Sequence, residues 1–168
     1  MTGDLAQRVA RLRAELEEIP DAITFADLPP GLSPGAGPGD LPAGLRALLE
    51  ITNGPACGSA LVFRAERVPD KQFYLADDLD GGPEAWLCFG NVIDRPLLLR
   101  RDTGGVWWYP DTGVEYWRSD RFESLAPTVP AFADHYLFGE GYATLRPGGD
   151  RWYEFLRRHS VALGKVEP

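Results

Sequence analysis

Apolar positions in this chain follow a helical period near both ends and form short runs in the middle. Leu5, Val9, Leu12, Leu16 and Ile19 are spaced by four, three, four and three residues. That spacing lays one apolar stripe along a helix, with Arg8, Arg11, Arg13, Glu15, Glu17 and Glu18 mostly outside it. Asp4 is placed to cap this helix and Pro20 to end it. A loop follows: Pro29-Pro30-Gly31, Pro34-Gly35 and Gly37-Pro38-Gly39 break both periodic structures, and a flexible hinge is one reading of it. The second helix is read over Leu41 to Gly54. Pro42 suits its first turn, Leu41, Leu45, Leu48 and Leu49 form its buried stripe, and Asn53-Gly54 terminates it.

From Trp86 to Trp117 the period shortens. Trp86–Gly90, Pro96–Arg101, Val106–Tyr109 and Val114–Trp117 are rich in aromatic, Leu and Val residues. Asn91, Asp94, Asp102-Thr103-Gly104-Gly105 and Pro110-Asp111-Thr112-Gly113 separate them, so they read as consecutive antiparallel strands. Leu61-Val62-Phe63 and Phe122 to Leu125 add strands, and Phe73-Tyr74-Leu75 reads as a strand or a helical turn. Trp107 and Trp108 are neighbours on one strand, so their side chains point to opposite faces. A helix from Val129 to Leu137 is capped by Thr128, and a last helix is capped by Asp150, with Trp152, Phe155, Leu156 and Leu163 inward. The pattern predicts one α+β domain over residues 1–168, with a largely antiparallel sheet of about five or six strands flanked by helices. Residues 28–40 are its Gly/Pro-rich loop.

Charge narrows the partner class. The net charge is -8, whereas nucleic-acid binders need a basic face to neutralise phosphates. Nucleic acid is therefore not expected as a partner, and an acidic surface suits a basic protein. No apolar run approaches the roughly 20 residues of a membrane span. The charged, amphipathic first twenty residues lack a signal-peptide core, which predicts a cytoplasmic protein. Cys57 and Cys88 form neither a disulfide framework nor a metal spacing, and they read as buried thiols.

No specific catalytic constellation is visible. His135 and His159 are the only histidines, and Ser59, Ser119, Ser124 and Ser160 lack a nucleophile-elbow setting. The glycine pairs lack the setting of a phosphate loop, and Asp78-Leu79-Asp80-Gly81 fails as a calcium loop because Ala76 and Leu87 fall on the terminal ligand positions. No cofactor or metal is expected. The acidic run Asp77, Asp78, Asp80 and Glu84, without Lys or Arg, is the sharpest local feature: a solvated loop, or a patch that steers a basic partner. Trp107 and Trp117 are the candidate anchors beside it.

Order and motif together resemble the SUKH superfamily. Leu41-Pro42-x-x-Leu45-Arg46-x-Leu48-Leu49-x-x-x-Asn53-Gly54 is similar to its hallmark helix. The Phe89-Gly90 strand end and the turn Asp102–Gly105 follow in the same order. The closing Ala131-Phe132-x-x-His135-Tyr136-x-x-Gly139, then Tyr142 and Trp152-Tyr153-x-Phe155-Leu156, are similar to the tails of its bacterial immunity subgroups. The resemblance covers about residues 41 to 158. It implies a single α+β domain, no enzymatic activity, and binding that neutralises a cognate polymorphic toxin, often a nuclease. The alternative it implies is a regulatory or scaffolding module of the same superfamily. An enzyme or small-molecule site beside the sheet is a third class, and a pocket pairing His135 or His159 with a carboxylate would mark it.

Overall fold

A computed structural model describes residues 2–159; Ser160 and Leu163 lie outside them. Seven strands pair in sequence order as one antiparallel meander: β1 (Ala26–Asp27), β2 (Ala56–Cys57), β3 (Ala60–Val62), β4 (Trp86–Val92), β5 (Arg95–Arg100), β6 (Val106–Trp108) and β7 (Glu123–Ala126). The helices are α1 (Thr2–Glu17), α2 (Ala43–Ile51), α3 (Val129–Phe132, continued by a π-turn over Ala133–Leu137), α4 (Tyr142–Leu145) and α5 (Arg151–Arg158). The chain is thus the α+β domain that the pattern implies, with more strands than expected. The extra ones, β1 and β2, are two residues each, too short to show a period. No helix among the described residues is long and apolar enough to cross a membrane.

The apolar stripes fold as their spacing dictates. Leu5, Val9, Leu12 and Leu16 are buried on α1, and Asp4 sits in its first turn instead of capping it. Leu45, Leu48 and Leu49 are fully buried on α2. The Thr128 hydroxyl accepts from Ala131 N at 3.1 Å, and Asp150 Oδ1 accepts from Tyr153 N at 3.1 Å, so both expected caps form. The loop before α2 is tied down. The Arg13 guanidinium donates to Leu28 O at 2.8 Å and Pro29 O at 2.7 Å, Thr52 Oγ1 donates to Pro29 O at 2.8 Å, and Arg46 Nη1 donates to Ala36 O at 2.9 Å. Side-chain donors replace the ladder bonds that a Pro/Gly segment cannot make, so the loop is a strap and not a hinge.

The fourth expected strand does not form. Val114 and Trp117 face water, and Tyr116–Arg118 is a 3₁₀ turn. β7 takes the edge of β6 instead, pairing Val106 with Ala126 and Trp108 with Glu123. Of the two readings of Phe73-Tyr74-Leu75, the helical turn is the one found: Phe73 and Tyr74 end a ten-residue 3₁₀ segment, Ala65–Tyr74.

Register sorts the sheet into two faces. Leu87 pairs with Leu99 and Leu99 with Val106, while Leu97 pairs with Trp108. These side chains share the helix side, where Phe89 meets Phe132 of α3 edge-on at 5.9 Å. Trp86, Cys88, Leu98 and Trp107 point to the other face, so the two adjacent tryptophans do diverge. Loops and 3₁₀ turns cover that second face. Gly90 permits the bulge at the sheet centre: a Cβ there would stand 2.3 Å from Leu61 O.

One side chain completes the sheet where β3 stops short. β3 pairs only with residues 90–92 of β4, leaving the edge at Cys88 open. Gln72 closes it: its Oε1 accepts from Cys88 N and its Nε2 donates to Cys88 O, each at 2.9 Å. Gln72→Ala strands both buried backbone groups, and urea denaturation should show a loss of about 2 kcal/mol. A loss below about 0.5 kcal/mol would show that water replaces the amide.

Candidate functional site

Two loops build the outer face of the sheet, the one before β4 (residues 75–85) and the one before β7 (109–122). Their rings form a continuous stack. Trp107 packs edge-on to Trp86 at 5.8 Å, and Phe122 lies 5.2 Å from Trp86 and 5.3 Å from Trp107. Tyr109 continues from Phe122 at 4.6 Å, Tyr116 from Tyr109 at 5.3 Å, and Trp117 stands perpendicular to Tyr116 at 5.1 Å. Tyr116 Oη donates to Tyr74 O at 3.0 Å, joining the second loop to the end of the 3₁₀ segment Ala65–Tyr74, and Phe73 stacks on Tyr74 at 4.6 Å. The inner rings are buried or half-buried. The outermost are not: Trp117 is 63% and Phe73 72% exposed. Two large rings held in water by a rigid stack beneath them are what an interface anchor requires.

Three clefts meet at Tyr116 and Trp117. A slot of about 140 Å³ is lined by Asp78, Asp80 and Asp120 and by the Tyr109, Tyr116, Trp117 and Phe122 rings. A groove of about 380 Å³ joins Phe73 to Trp117 past Asp77 and Asp78. A third, of about 540 Å³, carries Asp94, Asp111 and Glu115 on its wall against the single cation Arg95. Burial, and then the nearby Asp78 carboxylate, push the Tyr109 phenol up to about 12. Burial likewise raises Tyr116. Both remain neutral at physiological pH, so the carboxylates alone set the charge of the slot.

The structure brings together four of the six residues marked from sequence. Asp77, Asp78 and Trp117 share the 380 Å³ groove, and Asp78, Asp80 and Trp117 share the slot. Asp80 is not a free charge, because its carboxylate accepts from Arg100 Nη1 at 2.9 Å. Buried Leu79 and the bond from Trp86 Nε1 to Asp80 O at 2.8 Å hold the acidic loop on the sheet. Glu84 is exposed but lines none of the three clefts. Trp107 is half-buried, packs against Trp86 and Phe122, and lines none of the three clefts. Sequence reasoning missed Phe73, Tyr116 and Asp120. Phe73 has no alternating partner to mark its exposure, and Tyr116 was absorbed into a strand that does not exist.

Other polar groups are committed to the fold. The Asp150 carboxylate accepts from Tyr142 Oη at 2.5 Å and Ser59 Oγ at 3.2 Å, besides capping α5. Neither histidine is among these bonds. Burial and the Asp150 charge raise the Tyr142 phenol, which therefore stays a donor. His135 is exposed and stands edge-on to Tyr136, and His159 Nδ1 lies 3.6 Å from Glu15 Oε2 with its ring on Phe155. Cys57 and Cys88 are free and buried; burial raises both thiols, Cys88 to about 12, so both stay protonated. No group of three His, Cys, Asp or Glu able to hold a metal occurs among the described residues.

The hairpin between β4 and β5 stores strain at the edge of this face. Ile93 and Asp94 sit at φ 47° and 67°, the left-handed region a two-residue turn demands and a β-branched side chain resists. Ile93 is also 47% exposed and lines the third cleft. No protein-family model and no curated protein matches the chain. Ile93→Asn relieves the turn, so thermal unfolding should show a gain of about 1 kcal/mol. Unchanged or lower stability would mean the exposed isoleucine contacts outweigh the backbone cost.

Proposed function

We propose that this chain is an immunity protein of the SUKH superfamily that binds a basic protein toxin, a nuclease by preference, and neutralises it. Its alternative within the superfamily is a regulatory module, which would use the same face. One observation carries the reading: the two most exposed large rings of the outer face stand among carboxylates. Asp77, Asp78, Asp120, Glu115, Asp94 and Asp111 line clefts that meet at Trp117, and Arg95 is the one cation in them. The resemblance over residues 41 to 158 supplies the class of partner. The α+β fold is compatible with it, and the net charge of -8 suits a partner whose own cleft is built to hold nucleic acid.

Mechanistically the two features do different work. Carboxylates at the rim pull a cationic surface in from a distance of about a Debye length, ~8 Å at physiological salt, and raise the association rate. The Trp117 and Phe73 rings then lose water against the partner and slow dissociation. A nuclease whose basic cleft is covered in this way loses access to its substrate, without any chemistry from the inhibitor.

The first experiment is co-expression with the protein encoded next to this one. Survival and a stable one-to-one complex are expected; toxicity without rescue or complex excludes immunity toward that protein. Within the complex, Asp77→Asn with Asp78→Asn and Asp120→Asn should lower the association rate about tenfold at low salt and flatten its salt dependence. Glu84→Gln, outside the clefts, should leave both unchanged. Trp117→Ala should weaken the complex about 30-fold, mostly through faster dissociation. An unchanged association rate in the triple variant would remove the steering role.

A further inference from the structure

A second cavity opens on the helix side of the sheet, and its chemistry is the reverse of the Trp117 face. It has a volume of about 580 Å³, within the range of small-molecule sites, and lies between the β6–β7 edge, the tip of the β4–β5 hairpin and the turn after α4. Three arginines line it, Arg95, Arg121 and Arg146, against two carboxylates, Asp111 and Glu123; the excess is one positive charge (three minus two) in a chain of net charge -8. Local pairing leaves the excess at one positive charge, because Arg121 and Glu123 cancel. Arg121 Nε donates to Glu123 Oε2 at 3.0 Å, and Asp111 Oδ1 accepts from Gly113 N at 3.0 Å. Arg95 and Arg146 pair with no carboxylate among the described residues.

Arg95 is held at its guanidinium and Arg146 at its backbone. The Arg95 guanidinium lies 5.5 Å over the Trp108 ring and donates from Nη1 to Tyr109 O at 3.3 Å. The Arg146 backbone is fixed from both sides, its N–H donating to Tyr142 O at 3.0 Å and its carbonyl accepting from Gly149 N at 2.9 Å. Arg146 Nε is shielded from water and has no hydrogen-bond partner; among the described residues it is the one buried side-chain polar atom in that state. A stranded guanidinium donor is unfavourable, and an oxyanion at the fork of Arg146 would satisfy it. The rest of the wall is suited to an apolar body, since Trp108, Leu125, Tyr136 and Leu145 line it.

We propose that this cavity binds a small amphipathic organic anion, its carboxylate or phosphate head taken by Arg146 and Arg95 and its apolar body packed along Trp108 and Leu145. The site is independent of the protein-binding reading and stands if that reading fails.

The test uses the full chain, labelled with ¹⁵N, and follows the arginine Nε–Hε resonances during titration. The probes are phenyl phosphate, phenylacetate and inorganic phosphate, with neutral phenylacetamide as the control. Saturable shifts of the Arg146 and Arg95 signals, with a Kd of about 1 mM or tighter, are expected for at least one aromatic anion. A response to phenylacetate alone marks a carboxylate site, to phenyl phosphate alone a phosphate site. Weaker binding of inorganic phosphate than of phenyl phosphate assigns the apolar wall its role. Arg146→Lys keeps the charge but loses the fork, so a variant with an otherwise unchanged amide spectrum should bind at least about tenfold more weakly. Three results overturn the proposal: no saturable shift up to about 20 mM of either aromatic anion, equal binding of phenylacetamide, or undiminished binding by the lysine variant.

Discussion

The constraint on which this structure turns is that one face of the sheet is left to loops. β4, β5 and β6 are apolar on both sides, and the α-helices cover the side of Phe89, Leu97 and Trp108. Trp86, Cys88, Leu98 and Trp107 need cover on the other, where the chain offers only 3₁₀ turns and irregular segments. Irregular backbone covers apolar surface well only through large side chains. Rings are suited to this, because each buries on the order of 200 Å² with few rotamers to freeze. Hence the stack from Trp86 through Phe122, Tyr109 and Tyr116. Gln72 belongs to the same solution, supplying as a side chain the strand edge that β3 is too short to provide.

A stack of rings must end somewhere, and here it ends at Trp117 and Phe73. The loops that bring these rings are also where the carboxylates sit, since loops run through water and tolerate charge. The result is a face with a rigid apolar ridge among acids. Not every acid there is equivalent. Asp80 is paired with Arg100, and an exposed pair of that kind adds little stability but neutralises Asp80 locally. Asp77, Asp78 and Asp120 flank the ridge. The arginine-lined cavity beneath the β6–β7 edge has the opposite sign, and Ile93, Arg95 and Asp111 stand on the wall shared by the two.

The legible parts of the fold are those where burial imposes a period or a cap imposes a residue type. The stripes of α1 and α2, the caps Thr128 and Asp150, the divergence of Trp107 and Trp108 and the central hairpins are all of this kind. β1 and β2 were illegible because two residues carry no alternation. Val114–Trp117 misled for the opposite reason: a strand-like composition there serves a turn, with Tyr116 inward and Trp117 outward. The acidic loop was legible as composition, but which carboxylates remain free depends on Arg100, twenty residues away in sequence and adjacent only in space. Trp107 and Trp117 were indistinguishable as letters; Phe122 arriving from another loop packs on the first and leaves it half-buried. The cavity of Arg95, Arg121 and Arg146 draws on three separated segments, and no spacing announces it.

The most direct test of the proposed Trp117 interface is hydrogen–deuterium exchange of the protein alone and mixed with the protein encoded next to it. Binding at this face predicts slowed exchange confined to residues 73–80 and 111–120, with α1 and α5 unaffected. Protection over the helices, with the two loops exchanging as in the free protein, would contradict it.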